Sequence, residues 1–269
     1  MACVKVQVRR NALADSRGAK KIKNAYREKV SGRRGRPYAD LDGILDGIWW
    51  IACTGAMWNQ MPDRFGKWNS VWRCFRRWCG SGLWKWAIQQ ISGKYNELLV
   101  AVMLDATHIK AHQDASKHPL PADEQKLGKT KGGRNTKLSV AVNLVGLPVS
   151  FDLVCGNEHD SLSAVNTLKG LINGSLILAD KAYDTNGLRT HILDEGGVPV
   201  IPPKANRKDP IFYPKEIGKW RHRVENFFGR IKRFRRISTR YDKLPETYLG
   251  FVSLLSLAEW IEFDFVHSA

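Results

Sequence analysis

The chain has 269 residues, of which 43% are hydrophobic and 10% aromatic, so it can bury a core and is not expected to be disordered. Its 43 lysines and arginines outnumber 26 aspartates and glutamates. The resulting net charge of +17 favours a polyanionic partner, nucleic acid ahead of a membrane surface. No apolar run reaches the roughly 20 residues that a bilayer-spanning helix needs, so we expect no membrane segment.

The first 36 residues form a basic segment with twelve lysines and arginines against two acids, Asp15 and Glu28. We predict a weakly ordered arm over residues 1–36 that lies on phosphates, although a solvated tail has the same composition. The opening MACVKVQVRR lacks the apolar core of a signal peptide. The five cysteines are widely spaced without a Cys-x-x-Cys pair, which argues against a disulfide framework or a zinc site. We therefore expect a reduced, cytoplasmic protein.

Residues 37–94 have the pattern of a compact helical module. Asp40 can cap a first helix whose apolar residues follow the 3.6-residue period, and Gly55 can end it. A second helix, beginning near Asn69, would bury a stripe that contains Phe75 and Trp78. Three arginines lie largely off that stripe and are candidates for DNA contacts: Arg73, Arg76 and Arg77. This pattern favours a helix-turn-helix-like DNA-binding module, although an ordinary three-helix bundle has the same pattern.

Two short apolar runs each end on an aspartate. Residues 98–104 (LLVAVML) precede Asp105, and residues 175–179 (SLILA) precede Asp180. Short runs of this kind are typical of strands that are buried on both faces. Two parallel strands would place both carboxylates at one edge of a sheet, where open α/β sheets carry their sites. A turn or capping aspartate is the alternative reading of each position.

A third acid, Glu225, lies in the segment 220–232 (WRHRVENFFGRIK). Four apolar residues of the segment have helical spacing and mark a face that packs on the sheet: Val224, Phe227, Phe228 and Ile231. Glu225 is the only acid among cations here, so it is either a functional carboxylate or a salt-bridge partner. Three carboxylates from two strands and a helix make an oxygen site suited to Mg²⁺ or Mn²⁺.

Two further stretches concentrate positive charge. The polar segment 114–137 mixes glycines with cations and predicts a mobile DNA-contacting loop, with a solvated loop as the alternative. Its candidates for DNA contacts are Lys129, Lys131 and Arg134. Residues 219–243 hold ten lysines and arginines against Glu225 and Asp242, which favours contact with phosphates. Four residues of this segment are predicted to contact DNA: Arg221, Lys232, Arg235 and Arg236.

The remaining segments alternate between strand and helix patterns. Residues 138–154 predict a hairpin that turns at Gly146. Helices are predicted over residues 161–172 and from about 185 to 195, and the preceding His159-Asp160 and Asp184 are interpreted as caps rather than metal ligands. A final apolar segment, residues 248–265, predicts another helix.

Three motifs in this order resemble the Asp-Asp-Glu class of bacterial insertion-sequence transposases: LDATHIKAH, LADKAYD and RHRVENFFGRIKRFRRISTRYDKL. The branch they are most similar to is named after insertion sequence five. Its signature, Tyr-x2-Arg-x3-Glu-x6-Lys, is matched by Arg221, Glu225 and Lys232, whereas Gly218 stands at the tyrosine position. The resemblance runs from about Arg36 to near the C-terminus.

The resemblance implies a mixed α/β, ribonuclease H-like catalytic domain over residues 95–269, behind the helical DNA-binding module. It also implies that Asp105, Asp180 and Glu225 are the catalytic and metal-binding residues, with two Mg²⁺ or Mn²⁺ ions per active site and Asp105 bridging them. The expected partners are the terminal inverted repeats of the element and target DNA, bound by a homodimer at the bacterial nucleoid. The expected activity is cleavage of DNA and joining of the freed 3′-hydroxyl ends to the target. A nuclease of the same fold without strand transfer, and a domesticated DNA-binding protein without catalysis, are the alternatives.

Overall fold

The computed structural model describes residues 40–117, 119–208 and 211–267. The basic arm predicted for residues 1–36 lies outside these described residues. The chain forms two compact units. The helical unit contains the described residues up to Lys94 and those from Arg233 onward, and the sheet unit runs from Tyr95 to Lys232. The first division falls after residue 94, and residues 233–267 group with the N-terminal helices rather than with the sheet.

Among its described residues up to Lys94, the helical unit forms three α-helices: α1 (Leu41–Thr54), α2 (Trp68–Gly80) and α3 (Leu83–Ser92). As predicted, Asp40 caps α1 by accepting a hydrogen bond from the Gly43 N–H at 2.8 Å. Gly55 ends the helix in the left-handed conformation, with φ of 67°. Short 3₁₀ turns at Trp58–Gln60 and Asp63–Phe65 connect α1 to α2. The described N-terminal residues are therefore helical, as the sequence predicts.

The sheet unit contains six strands: β1 (Ala101–Ala111), β2 (Gly128–Thr130), β3 (Gly133–Val142), β4 (Pro148–Cys155), β5 (Leu176–Leu178) and β6 (Val198–Val200). Four helices accompany them: α4 (Asp160–Leu168), α5 (Asn186–Asp194), α6 (Lys215–Gly218) and α7 (His222–Ile231). The strand order is β4-β3-β1-β5-β6, with β2 beside the start of β3. Strands β4, β3 and β1 are antiparallel, whereas β1, β5 and β6 are parallel. This mixed sheet confirms the predicted ribonuclease H-like α/β fold.

Side chains point alternately to the two faces of the sheet along each strand, and helices cover both faces. Val102 and Leu104 of β1 belong to a buried cluster with Ala164 and Leu168 of α4. Asp105 and the other odd-numbered residues of β1 point to the opposite face. Helix α7 packs against β1 and β3, and its predicted apolar face is buried.

The C-terminal elements are α8 (Arg235–Ser238), β7 (Thr239–Arg240) and α9 (Pro245–His267), and α9 packs against α2 and α3. The rings of Phe75 and Phe251 lie 4.5 Å apart between these helices. Gly250 permits the close approach of α9 to α2, since a β-carbon there would overlap the Cys79 sulfur. Apolar contacts of this kind explain why residues 233–267 group with the helical unit. Among the described helices, no segment combines the length and the apolar character needed to cross a membrane.

Two local predictions differ from the structure. Strand β1 does not stop at residue 104 but continues to Ala111, so Asp105 lies within the strand. The segment 114–137, predicted as a loop, contains β2 and the start of β3. Antiparallel pairing with β3 extends β1 beyond its apolar run, as in the pair Thr107↔Leu138. Within the segment 114–137, β2 pairs with the start of β3 in the same way. A local apolar pattern does not reveal the backbone hydrogen bonds of such pairs.

Candidate active site

Parallel pairing of β1 and β5 brings Asp105 and Asp180 to the same level of the sheet. Met103 pairs with Leu178, and each aspartate follows its paired residue by two positions. Asp180 lies two residues after the end of β5, where its carboxylate accepts a hydrogen bond of 2.8 Å from the Ala182 N–H and caps the 3₁₀ turn Lys181–Tyr183. The two aspartates meet as predicted, one inside a strand and one just past its end.

Arg221 connects Asp105 to Glu225. Arg221 lies one helical turn before Glu225, and its Nη2 donates to the Glu225 carboxylate at 2.5 Å. Its Nη1 donates to Asp105 Oδ2 at 3.1 Å. Lys232, seven residues after Glu225, donates from Nζ to the Thr107 hydroxyl on β1. The cations of the sequence motif therefore lie against the same face of β1 as Asp105.

The site has more negative charge than its arginine balances. The Asp105 side chain is mostly buried, and burial raises its pKa to about 6. The Ala106 N–H and Arg221 oppose that rise, whereas the charges of Asp180 and Glu225 add to it. Burial lowers the pKa of Lys232, although the charge of Asp105 acts in the other direction. A buried carboxylate beside two other acids provides an electrostatic environment that attracts a cation.

The donor atoms match a hard divalent cation, because Asp105, Asp180 and Glu225 offer only carboxylate oxygens. With their side chains as they stand, however, no three histidine, cysteine or acidic residues within the described part of the chain are close enough together to hold one metal ion. The guanidinium of Arg221 explains this, since it pairs with Asp105 and Glu225 at once. A shared ion would require Arg221 to release at least one of these carboxylates.

Most cations predicted to contact DNA are exposed. Arg73, Arg76 and Arg77 lie on the exposed side of α2, and the Arg76 guanidinium lies 5.4 Å from the centroid of the Trp72 ring. Three others are exposed where β2 turns into β3: Lys129, Lys131 and Arg134. Arg235, at the start of α8, is also exposed.

Arg236 is an exception among the predicted DNA contacts. Its side chain is only 7% exposed and pairs with Asp242, with Arg236 Nη2 2.9 Å from Asp242 Oδ1. Its Nη1 also donates to the Ala56 carbonyl at 3.2 Å. A guanidinium held in this way stabilises the helical unit and is not available to phosphate. We therefore correct the sequence prediction and remove Arg236 from the DNA-contacting set.

Asp184 also has a role that the sequence does not predict. Thr185, not Asp184, caps α5. The buried Asp184 carboxylate accepts hydrogen bonds from Arg189, Arg207 and the Lys204 N–H, each between 2.7 and 2.9 Å. Burial alone would raise the pKa of Asp184, but these bonds outweigh it and hold the pKa far below its usual range. The cluster fixes the chain after β6 to the turn that follows Asp180.

Parts of the chain match two known protein families. Residues 98–257, more than half of the chain, match the family described as "Transposase DDE domain". The chain belongs to this transposase family. Residues 20–87 match a second family, described as "Putative transposase of IS4/5 family", so the resemblance to insertion-sequence transposases is confirmed. The transposase-domain match includes Asp105, Asp180 and Glu225.

Individual relatives agree with the family match. A protein of Brucella ovis named "Putative transposase for insertion sequence element IS6501" is 32% identical over 127 residues, which cover 47% of this chain and 98% of that relative. An uncharacterised protein of Sinorhizobium fredii, y4sN, is 31% identical over 87 residues, which cover 32% of this chain and 67% of y4sN. Among solved structures, the chain is similar to the Mos1 mariner paired-end complex with Mn. The match covers 92% of this chain and 87% of the Mos1 chain, at 13% identity, and the TM-score of 0.27 indicates a weak likeness.

Proposed function

We propose that this transposase-family chain is a metal-dependent enzyme that binds the terminal inverted repeats of its insertion sequence, cleaves the DNA there and joins the freed 3′-hydroxyl ends to target DNA. The observation that best supports this proposal is the Arg221 link between Asp105 and Glu225, beside Asp180. It gathers acids and a phosphate-binding side chain from three separate parts of the chain.

Asp105, Asp180 and Glu225 would hold Mg²⁺ or Mn²⁺, two ions per active site. The chemistry supplied by such ions is activation of the attacking oxygen and stabilisation of charge on the leaving oxygen. Carboxylates from different elements suit this role, because each ion requires several oxygens around it. The raised pKa of Asp105 supports the assignment, since it indicates a carboxylate that burial, and to a smaller extent the charges of Asp180 and Glu225, leave less stabilised than in water.

Arg221 and Lys232 would act on the DNA. In the described structure Arg221 supplies the positive charge between Asp105 and Glu225. When cations take over that role, the guanidinium becomes available for a bidentate contact with a phosphate of the transposon end. Lys232 Nζ, which donates to the Thr107 hydroxyl, can turn to the same backbone. Both residues would then hold the scissile strand in place while the carboxylates stay fixed on the sheet and α7.

The exposed arginines of α2, the cations of the β2–β3 turn and Arg235 would also bind DNA. The net charge of +17 supports such contacts, because cations gain affinity by displacing counterions from phosphates. Synapsis of the two ends of an element requires two active sites, so we propose a homodimer in the complex with DNA. The proposed setting is the nucleoid of a bacterial cell.

The decisive experiment is cleavage of a labelled duplex that carries the ends of the element, with Mg²⁺ or Mn²⁺. We expect wild type to nick the ends only with metal, and Glu225→Gln to bind the ends without nicking them. Glu216→Gln is the matched control, because the Glu216 side chain is 84% exposed and pairs with Lys219 on the surface. Joining of nicked ends to a second duplex separates a transposase from a nuclease that lacks strand transfer. If wild type binds the ends and does not cut them, the chain is a DNA-binding protein and the proposed chemistry is wrong.

A further inference from the structure

Tyr183 carries a buried hydroxyl that its packing does not require. The residue is only 1% exposed, and its hydroxyl has no hydrogen-bond partner among the described residues. Burying a hydroxyl without a partner costs free energy, because the bonds it makes to water are lost. Phenylalanine would fill the same space without that cost. A tyrosine at this position therefore suggests that the hydroxyl has a role that the apolar core does not supply.

The ring of Tyr183 is fixed next to Asp180. It ends the 3₁₀ turn that Asp180 begins, and its N–H donates to the Asp180 carbonyl at 3.2 Å. The ring belongs to the buried cluster that includes Leu104 of β1, Ala164 of α4 and Ala179. Tyr183 therefore joins the turn that carries Asp180 to the strand that carries Asp105 and to helix α4.

Asp160, the first residue of α4, offers an acceptor close to this hydroxyl. Lys137, whose side chain is 7% exposed, approaches Asp160 Oδ1 to 2.8 Å and donates to the Glu158 carbonyl. Asp160 Oδ1 therefore has the Lys137 ammonium as its partner, and the carboxylate can still accept a further hydrogen bond. A buried hydroxyl without a partner among the described residues and a carboxylate held by a buried lysine lie in one neighbourhood.

The electrostatics locate this neighbourhood beside the acid site. Burial raises the pKa of Tyr183 well above its ordinary value, and the nearby charges of Asp160, Asp105 and Asp180 raise it further. A phenol hydroxyl is a hydrogen-bond donor, so it can donate to a carboxylate in this neighbourhood. Two of these carboxylates, Asp105 and Asp180, belong to the proposed active site, whereas Asp160 belongs to no motif of the sequence.

We propose that Tyr183 and Asp160 are positioning residues of the acid site, an inference that rests on the proposed function. The Tyr183 hydroxyl donates to Asp160, directly or through one water molecule, and Lys137 holds Asp160 in place. This link anchors the Lys181–Tyr183 turn to α4 and thereby fixes the orientation of the Asp180 carboxylate. Neither residue needs to touch a metal ion or the DNA. Their contribution is to keep the Asp180 oxygens in the arrangement that a divalent cation requires.

Tyr183→Phe tests the inference, because it removes one oxygen and keeps the ring. Loss of a residue that orients a metal ligand typically weakens metal affinity or activity about ten- to hundredfold. We expect Tyr183→Phe to keep the thermal unfolding midpoint in EDTA and the affinity for transposon ends without metal. The Mn²⁺ concentration that gives half of the full thermal stabilisation should rise by about that factor. Nicking should require more Mn²⁺ to the same extent, and excess Mn²⁺ should restore it. Asp160→Asn should shift the Mn²⁺ requirement in the same direction.

Tyr248→Phe is the matched control. Tyr248 is also buried, but its hydroxyl donates to the Ile237 carbonyl at 3.0 Å, so its loss should lower the thermal midpoint and leave the Mn²⁺ requirement unchanged. If wild type responds to Mn²⁺ and Tyr183→Phe responds at the same concentrations, the inference is overturned while the proposed function stands. If wild type is neither stabilised nor activated by Mn²⁺ or Mg²⁺, the proposed function and the inference are overturned together.

Discussion

The phenol of Tyr213 fills the space that a side chain at position 218 would need. A β-carbon built on Gly218 would overlap the Tyr213 hydroxyl and the ring carbon that bears it. Gly218 stands where the insertion-sequence signature has a tyrosine, three residues before Arg221. A tyrosine five residues earlier in the chain therefore places its phenol over the same turn of helix. We interpret this as a replacement, in which Tyr213 supplies the ring that position 218 lacks.

The first prediction is that Gly218→Ala displaces the Tyr213 phenol, the far end of a flexible side chain, so this variant loses part of the roughly 0.5–1 kcal/mol that alanine gains over glycine in a helix. Gly229→Ala is the matched control, since it lies in α7 with open space around the position of the new β-carbon. That control should be neutral or stabilising by roughly 0.5–1 kcal/mol, as expected for alanine in place of glycine in a helix. Urea unfolding of both variants measures the difference. Equal effects would show that the Tyr213 ring does not restrict position 218.

A double variant extends the same test to function. Tyr213→Ala and Gly218→Tyr should each reduce nicking of the transposon ends. Their combination should recover part of it, because the ring then reaches the same place from position 218. Coupling of this kind typically amounts to about 0.5–3 kcal/mol between residues in contact. Purely additive losses would mean that the phenol has no role at this turn.

The second prediction concerns the pH dependence of stability without metal. Burial raises the pKa of Asp105 to about 6, so the folded chain holds this proton more tightly than the unfolded chain. The contribution of Asp105 to the free energy of unfolding therefore falls as pH rises from about 4 to about 6, and it stays constant above that. Asp105→Asn mimics the protonated group. Above about pH 6 the free energy of unfolding of Asp105→Asn should exceed that of wild type by about 3 kcal/mol at most. Near pH 4 the two free energies should be equal.

Urea unfolding in EDTA at several pH values measures this difference. Asp123→Asn is the control, because Asp123 is exposed on the loop before β2. If the gap between Asp105→Asn and wild type does not widen with pH, the carboxylate of Asp105 is not destabilised by its surroundings. The site would then lack the excess negative charge on which the proposed affinity for cations depends.

The sequence predicts the acids of the site better than it predicts their partners. Short apolar runs identify the buried parts of β1 and β5, and parallel pairing brings the residues that follow these runs together, so Asp105 and Asp180 can be matched from local pattern alone. Helical spacing likewise orients Glu225 on α7. The pairing of Arg221 with Asp105 spans 116 positions in the chain and depends on tertiary packing, which no local pattern contains. For the same reason the sequence does not reveal that the hydroxyl of Tyr183 lies among carboxylates.

The third prediction compares neighbouring arginines that the sequence does not distinguish. Arg236 is buried against Asp242, so Arg236→Ala leaves a buried carboxylate without its partner and should cost about 3–5 kcal/mol of stability. Arg235 is exposed, so Arg235→Ala should change stability by no more than about 0.5 kcal/mol and should weaken DNA binding instead. Unfolding curves and binding to labelled ends measure both effects. A stable Arg236→Ala variant with weakened DNA binding would restore the original prediction for this residue.

The fourth prediction follows from the competition between Arg221 and a cation for the same carboxylates. Arg221→Ala removes the guanidinium that pairs with Asp105 and Glu225, so Mn²⁺ should stabilise this variant at lower concentrations than wild type. The variant should still nick DNA more slowly, because a phosphate contact is lost. Thermal unfolding against Mn²⁺ concentration, without DNA, measures the first effect. Lys219→Ala is the control, since Lys219 pairs with the exposed Glu216. A higher Mn²⁺ requirement in Arg221→Ala would mean that Arg221 supports the metal site rather than competing with it.

The fifth prediction tests the cations where β2 turns into β3. Each phosphate that an exposed cation neutralises releases condensed counterions from the DNA into solution, so the affinity falls with salt by about 0.9 logarithmic units per tenfold increase in salt for each contact. Replacing Lys129, Lys131 and Arg134 with alanine should weaken binding to any duplex. It should also reduce the slope of log affinity against log salt by the amount expected for up to three contacts. The control exchanges lysine and arginine at the same three positions, which keeps the charge and should keep the slope. If the alanine variant has the wild-type slope, the hairpin is a solvated surface, and the contacts with DNA must come from α2, Arg235 and the residues around α7.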